Sequence, residues 1–162
     1  MDQEARLQPE HAQALRLWLR MLTCTQLIEK QLRSALREQF DTTLPRFDLM
    51  AQLERVPEGL KMNELSRRMM VTGGNITGIT DQLVDEGLVE RASVTNDRRA
   101  FHIKLTAAGH ASFAQMAHAH EEWIVQAFGD LSARDIGVLY KLLGRVKETA
   151  LSDDLAPAAL QA

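Results

Sequence analysis

The chain has 162 residues, 45% hydrophobic and 25% charged, the balance of an ordinary globular domain long enough to bury a core. A formal net charge of -3 excludes recognition of a polyanion by global charge, so any basic surface must be local. A single cysteine, Cys24, excludes an intramolecular disulfide framework, and neither a signal peptide nor an apolar run of roughly 18 residues is present, so a cytoplasmic protein with no membrane partner is expected.

From His11 to about Gln39, the residues Leu15, Leu19, Leu22, Leu27, Ile28, Leu32 and Leu36 recur at helical spacing without an intervening Gly or Pro. A helix that long exceeds the needs of a compact domain, so a second chain is expected to cover part of its apolar face. Asp41 to Pro45 breaks the pattern, and Pro45 suits the opening of a helix over Arg46 to Val56 that presents Phe47, Leu49, Met50 and Leu53. Pro57-Glu58-Gly59 ends it. A short helix from Lys61 to Met70 then buries Met62, Leu65 and Met69, leaving Arg67 and Arg68 outward.

The next stretch, "VTGGNITGIT" from Val71 to Thr80, has the glycine spacing of a phosphate loop. A phosphate loop follows a strand and carries lysine before its Ser or Thr; here a helix precedes, and Ile79 fills that place as part of the core face. Thr72 instead reads as an N-cap, with Ile76, Ile79 and Leu83 on one face and Gly87 closing the helix. The opposite face holds Gly74, Thr77, Gly78 and Asp81, flanked by Gly73 and Asn75. Glycine in an exposed helix costs about 1 kcal/mol relative to Ala, and close approach of the backbone to another surface is a physical reason to keep it. The pair of helices fits a helix-turn-helix, whose second helix enters the major groove of DNA.

The period then changes from helical to alternating: Leu88 to Arg91 and Phe101 to Leu105 read as a two-stranded hairpin around Thr95-Asn96-Asp97. From Arg91 to Lys104 the bases exceed the single acid by three, and Arg98 and Arg99 at the tip can reach a narrow minor groove. Thr106 caps a fifth helix to about Phe128, Ser132-x-x-Asp135 signals a sixth, and the segment after Leu151 is expected to fray. The fold class is mainly α with a small β-hairpin wing: a winged helix-turn-helix between long terminal helices.

The segment Asp97-Arg98-Arg99 through Leu105-Thr106-Ala107-Ala108-Gly109 resembles the D-x-R-x5-L-T-x-x-G signature of MarR-type transcriptional regulators, and Leu83 to Arg91 is similar to the segment before their wing. The likeness runs from about His11 to Leu151. It implies an N-terminal dimerisation helix over 1–44, a winged DNA-binding domain over 45–106 and C-terminal dimerisation helices with a tail over 107–162. It further implies a homodimer on a pseudo-palindromic double-stranded operator, acting as a repressor relieved by a small-molecule effector. By position, Arg99 matches the wing arginine that enters the minor groove and Asp97 the acid that helps hold the wing. Thr72, Asn75 and Thr77 match DNA-facing positions, and Gly73 and Gly78 stand where many members carry arginine. Lys61 occupies a place where a capping Ser or Thr is frequent. The stretch from Gly59 to Arg91 also resembles a branch associated with aromatic acid and aromatic acyl-CoA catabolism, which implies an aromatic effector.

The expected DNA contacts are thus Arg67, Arg68, Thr72, Gly73, Gly74, Asn75, Thr77, Asp97, Arg98 and Arg99. Cys24 is read as a buried small hydrophobe, the alternative being an oxidation sensor in a one-cysteine repressor. His118 and His120 lie on opposed helix faces, so no metal is expected, and no other cofactor is called for. Trp18, Trp123, Phe113, Met116, Met50 and Met69 either line an apolar effector pocket or are plain core. No nucleophile-base pair or catalytic carboxylate arrangement emerges, so an enzyme is not expected. A winged-helix protein-interaction module without DNA binding is the competing reading, and the basic hairpin tip argues against it.

Overall fold

The computed structural model describes residues 9–93 and 101–152; the hairpin tip and both chain ends lie outside the described residues. The elements run α1 (Pro9–Phe40), α2 (Leu44–Glu54), α3 (Met62–Met69), α4 (Gly73–Asp85), β1 (Val89–Ser93), β2 (Phe101–Leu105), α5 (Ala107–Ala127) and α6 (Ala133–Leu151). The mainly helical class with one antiparallel hairpin is as the sequence predicts. The chain forms two compact units that part between Glu121 and Glu122, each described by itself below. Among the described residues no helix is long and apolar enough to cross a membrane.

Each boundary has a local cause. α1 stops at Asp41, whose left-handed backbone (φ 47°) lets its amide donate to the Arg37 carbonyl. Pro45 sits in the first turn of α2, where its missing N–H costs no intrahelical bond. α3 ends in a Schellman motif: the Met70 amide donates to Arg67 and the Val71 amide to Ser66, while the Ser66 hydroxyl donates to the Val71 carbonyl at 2.8 Å. The left-handed residue of that motif is Met70 (φ 53°), where a side chain costs roughly 1–2 kcal/mol that glycine would not. α4 ends in the same way at Gly87 (φ 74°), with Gly87 donating to Val84 and Leu88 to Leu83.

Strand β1 pairs antiparallel with β2 in the register Val89 to Leu105 and Arg91 to Ile103. Leu60 adds a short third rung through two backbone bonds with Ile103, of 2.9 and 2.8 Å. Gly59 makes that possible, because a Cβ there would stand 2.6 Å from the Ile103 carbonyl oxygen. Leu49, Met50, Leu53, Leu65, Ile76, Leu83 and Ile103 are almost completely buried, so α2, α3, α4 and β2 close one core. Burying each such side chain contributes about 1.5–3 kcal/mol. Phe47 joins this core to α5, stacking on Phe113 at 5.4 Å and on His120 at 4.7 Å. Partial burial there lowers the pKa of His120 below the ordinary imidazole value.

The core differs from the sequence reading in detail. Thr80, not Ile79, is wholly buried beside Ile76 and Leu83, and Ile79 is half-buried. Steps of four and three residues from Ile76 keep Thr80 and Leu83 on the face toward α3, where the Thr80 hydroxyl meets the Met62 sulfur at 3.7 Å. Met62 and Met69 are likewise half-buried, because a helix of eight residues has room to bury fully only its central Leu65.

The N-terminal half of α1 packs on little within its own unit: Leu32 and Leu36 are buried, whereas Leu15, Leu17, Trp18, Leu19, Leu22 and Leu27 are exposed. For the same reason Cys24 is exposed in the single chain, which corrects the buried position expected from its apolar neighbours. In the second unit, Ser132 and Asp135 form the predicted capping box at α6. That helix leaves Ile136, Val138, Leu139, Tyr140 and Leu142 exposed.

α5 begins at a knot. The Thr106 hydroxyl accepts from the Gly109 amide at 3.0 Å and donates to the Gly87 carbonyl at 2.6 Å, while the Thr106 amide donates to Leu88 at 3.1 Å. A Cβ on Gly109 would lie 1.9 Å from the Leu88 carbonyl oxygen. Gly109→Ala is therefore expected to destabilise the fold by about 2–3 kcal/mol in urea unfolding. Gly87→Ala, which meets only left-handed backbone strain and open space, should lose about 1 kcal/mol. Equal losses at the two positions would contradict the close approach of Leu88 to α5.

Candidate nucleic-acid interface

α3, its Schellman turn and α4 form a helix-turn-helix whose outer surface carries most of the residues selected from the sequence. Arg67 and Arg68 are exposed on the last turn of α3. Thr72, Gly73, Gly74, Asn75, Thr77 and Gly78 are all exposed on the first half of α4. Asp97, Arg98 and Arg99 lie outside the described residues; the strands that flank them are paired as far as Ser93 and Phe101. The segment before Gly73 is helix and turn rather than strand, the setting a nucleotide phosphate loop lacks.

The start of α4 is ordered by its own side chains. The Thr72 hydroxyl accepts from the Asn75 amide at 3.4 Å, so it caps the helix as read from the sequence. The Thr77 hydroxyl donates to the Gly73 carbonyl at 3.0 Å, which leaves its lone pairs facing outward as acceptors. The carboxamide of Asn75 makes no hydrogen bond among the described residues, so both its donor and its acceptor remain open. Lys61 occupies the N-cap of α3 without a side-chain cap bond.

The glycines of this helix have no use for their small size inside the chain. A Cβ at Gly73, Gly74 or Gly78 would meet nothing within 4 Å, and none of the three has positive φ. They differ in this from Gly59 and Gly109, whose neighbours forbid a side chain. What Gly73 and Gly74 provide is a bare backbone at the positive end of the helix macrodipole, with first-turn amides that have no intrahelical partner, and Gly78 extends the bare surface into the second turn. A phosphate oxygen or a base edge can approach such a surface closely.

Charge on this face is arranged by a contact that sequence reading missed. Arg91, on β1, forms an ion pair with Asp81 of α4. Both side chains are partly exposed, so the pair adds at most about 1 kcal/mol of stability. Its effect is placement: it ties the base of the hairpin to α4 and offsets an acidic charge that would repel phosphate. Arg46 of α2 pairs with Glu86, which closes the far end of α4. Sequence reading counted Arg91 only as part of a basic segment, because a pairing across 10 positions between helix and strand has no periodic signal.

The apolar residues offered as a pocket differ in burial. Met50 and Met116 are core, Trp18 is exposed, and Met69, Phe113 and Trp123 are half-buried. Within the second unit, a groove of about 620 Å3 is lined instead by residues including Ile124, Phe128, Leu131, Ile136, Leu139 and Tyr140. Among the described residues, the polar face of α4, the apolar side of the first half of α1 and this groove are each left uncovered by the chain itself.

Comparison with known proteins places this geometry. A family profile described as the MarR family matches residues 40–100, the span from the end of α1 through α4 and β1. The HTH-type transcriptional repressor YetL of Bacillus subtilis is 32% identical over 100 residues, covering 62% of this chain and 60% of that protein. The chain thus spans less than two thirds of YetL. A MarR family transcriptional regulator from Silicibacter pomeroyi superposes with a TM-score of 0.76 at 31% identity, covering 89% of this chain and 99% of that one. A mutant of MarR from E. coli complexed with operator DNA superposes with a TM-score of 0.73 at 25% identity, over 83% of this chain and 95% of that one.

If nothing within the chain requires Gly78, then Gly78→Ala must stabilise it. An increase of up to about 1 kcal/mol in unfolding free energy is expected by chemical denaturation, from the helix propensity of Ala alone. A loss of stability would mean that the surroundings of Gly78 are not open.

Proposed function

Because this chain belongs to the MarR family of winged-helix transcriptional regulators, we propose that it is a homodimeric repressor whose α4 enters the major groove of a pseudo-palindromic operator and which a small effector releases. The observation that carries this reading is the row of exposed glycines on α4, each costing helix stability and none required by a neighbour in the chain. Arg67 and Arg68 then contact phosphates beside the groove, and the first-turn amides of α4 add further phosphate contacts. Asn75 and Thr77 face base edges. Arg98 and Arg99, with Asp97 holding them, are assigned to the minor groove by their place in the wing signature. The operator complex of the E. coli relative and the repressor name of the B. subtilis relative support the same assignment.

A second copy of the chain is the natural cover for the apolar surfaces left open. The exposed leucines and Trp18 of α1, and separately the apolar groove lined by α5 and α6, offer the hydrophobic area that an obligate dimer buries. Two-fold symmetry then sets half-site centres about one helical turn, roughly 10 bp, apart. The likeness of Gly59 to Arg91 to regulators of aromatic acid catabolism makes aromatic acids and their CoA thioesters the first effectors to try. No catalytic role is assigned to any residue.

Binding is tested by fluorescence anisotropy with duplexes from the upstream intergenic DNA, at fixed and then varied salt. Affinity should fall steeply as salt rises, as expected for phosphate contacts that release counterions. Arg99→Ala should bind about five- to 150-fold more weakly while sedimenting as the same dimer, by analogy with the 1–3 kcal/mol lost per groove contact. Gly78→Ala should also bind more weakly although it is the more stable protein. Unchanged affinity in both variants would overturn the assignment of wing and helix. A monomer in sedimentation at micromolar concentration would overturn the dimer. Aromatic ligands that neither raise the melting temperature nor release the duplex would remove the effector class alone.

A further inference from the structure

The turn between α3 and α4 contains a residue that the DNA-binding reading does not absorb. Met70 occupies left-handed backbone at φ 53°, a position where glycine or asparagine would be cheaper. Its side chain offsets none of this cost by burial, because Met70 is 91% exposed, the most exposed of the large hydrophobic residues described. The turn itself is held by others: the Met70 and Val71 amides and the Ser66 hydroxyl close it without the Met70 side chain. Met70 follows the exposed Arg67 and Arg68 and precedes the capping Thr72, so it stands at the entry to the recognition helix. An unbranched, polarizable side chain set between phosphate-binding arginines and a base-reading helix adapts well to an apolar partner.

We infer that Met70 is a specificity-determining residue that packs its thioether on the C5-methyl group of a thymine at the edge of the half-site. The inference rests on the DNA-binding reading above. Thymine methyl is the one apolar group that bases present in the major groove. The rest of the helix suits the same class of base pair. α4 contains neither Lys nor Arg from Gly73 to Asp85, so the commonest guanine contact is missing from it. Asn75 has a free carboxamide able to pair with adenine, and Thr77, its proton committed to Gly73, can accept from an adenine amino group. A face built this way reads A·T pairs, and each A·T pair brings a methyl group to the groove.

The test uses the full-length protein and duplexes that it enriches from a randomised pool at fixed salt. Each thymine of the enriched half-site is replaced in turn by uracil, which removes only the methyl group. Affinities are compared between the wild type and Met70→Asn, which suits left-handed backbone but lacks the thioether. At one thymine, uracil should weaken wild-type binding about fourfold, the factor expected for burying roughly one methyl group. Met70→Asn should lose a similar factor on the thymine duplex and nothing further on the uracil duplex. It should melt no lower than the wild type, which separates lost contact from lost fold. Undiminished binding by Met70→Asn, a lower melting temperature, or a loss additive with uracil at every position would overturn the inference and leave DNA binding intact. Failure of the wild type to enrich any duplex would instead overturn the DNA-binding reading, and this inference with it.

Discussion

Gly87, Leu88, Thr106 and Gly109 meet where α4 ends and α5 begins, and the placement of α4 depends on that junction. The Thr106 hydroxyl is shared between the Gly87 carbonyl and the Gly109 amide, so a single oxygen closes one helix and caps the next. Leu88 is fixed from both sides, its amide bonded to Leu83 and its carbonyl to Thr106. Gly109 lets α5 come near enough for this to happen. Since β1 starts at Val89 and β2 ends at Leu105, the same junction sets the root of the wing. α4 and the paired strands are therefore oriented together.

Against that frame, the exposed surface of the helix-turn-helix runs counter to what stability alone would choose. Gly73, Gly74 and Gly78 weaken α4, and Met70 strains the turn before it. Asp81 would repel phosphate were it not paired with Arg91. Each of these departures from local preference falls on an exposed residue, while Ile76, Thr80 and Leu83 form the buried face of α4. A stable frame tolerates a few such costs, which is how a folded domain can keep a surface shaped for another molecule.

The apolar surfaces obey a different logic. A helix as long as α1 cannot cover itself, and its N-terminal half meets solvent in the single chain. The exposure of Cys24 follows from this and from no property of the cysteine. Burial of such a residue depends on what covers the helix, which local sequence does not encode. His120 marks a milder case: stacked on Phe47, it titrates below its ordinary range because burial disfavours its charged form.

Local signals carried by a few residues were enough to fix the element order: Pro45, Gly59 and Gly87 mark boundaries, Thr72, Thr106 and Ser132 mark helix starts, and the change of period at Leu88 marks the hairpin. These features act within one turn of the chain, so sequence alone determined the winged helix-turn-helix, the outward face of α4 and the exposure of Arg67 and Arg68. Contacts between elements were decided only by the tertiary structure. Thr80 replaces Ile79 in the core because α3 lies against that side of α4, Arg91 finds Asp81 across the wing, and Gly109 serves a carbonyl far away in sequence. The physical reason is the same in each case: capping and periodicity are local energies written along the chain, whereas packing and ion pairing depend on distances that exist only after the chain has folded.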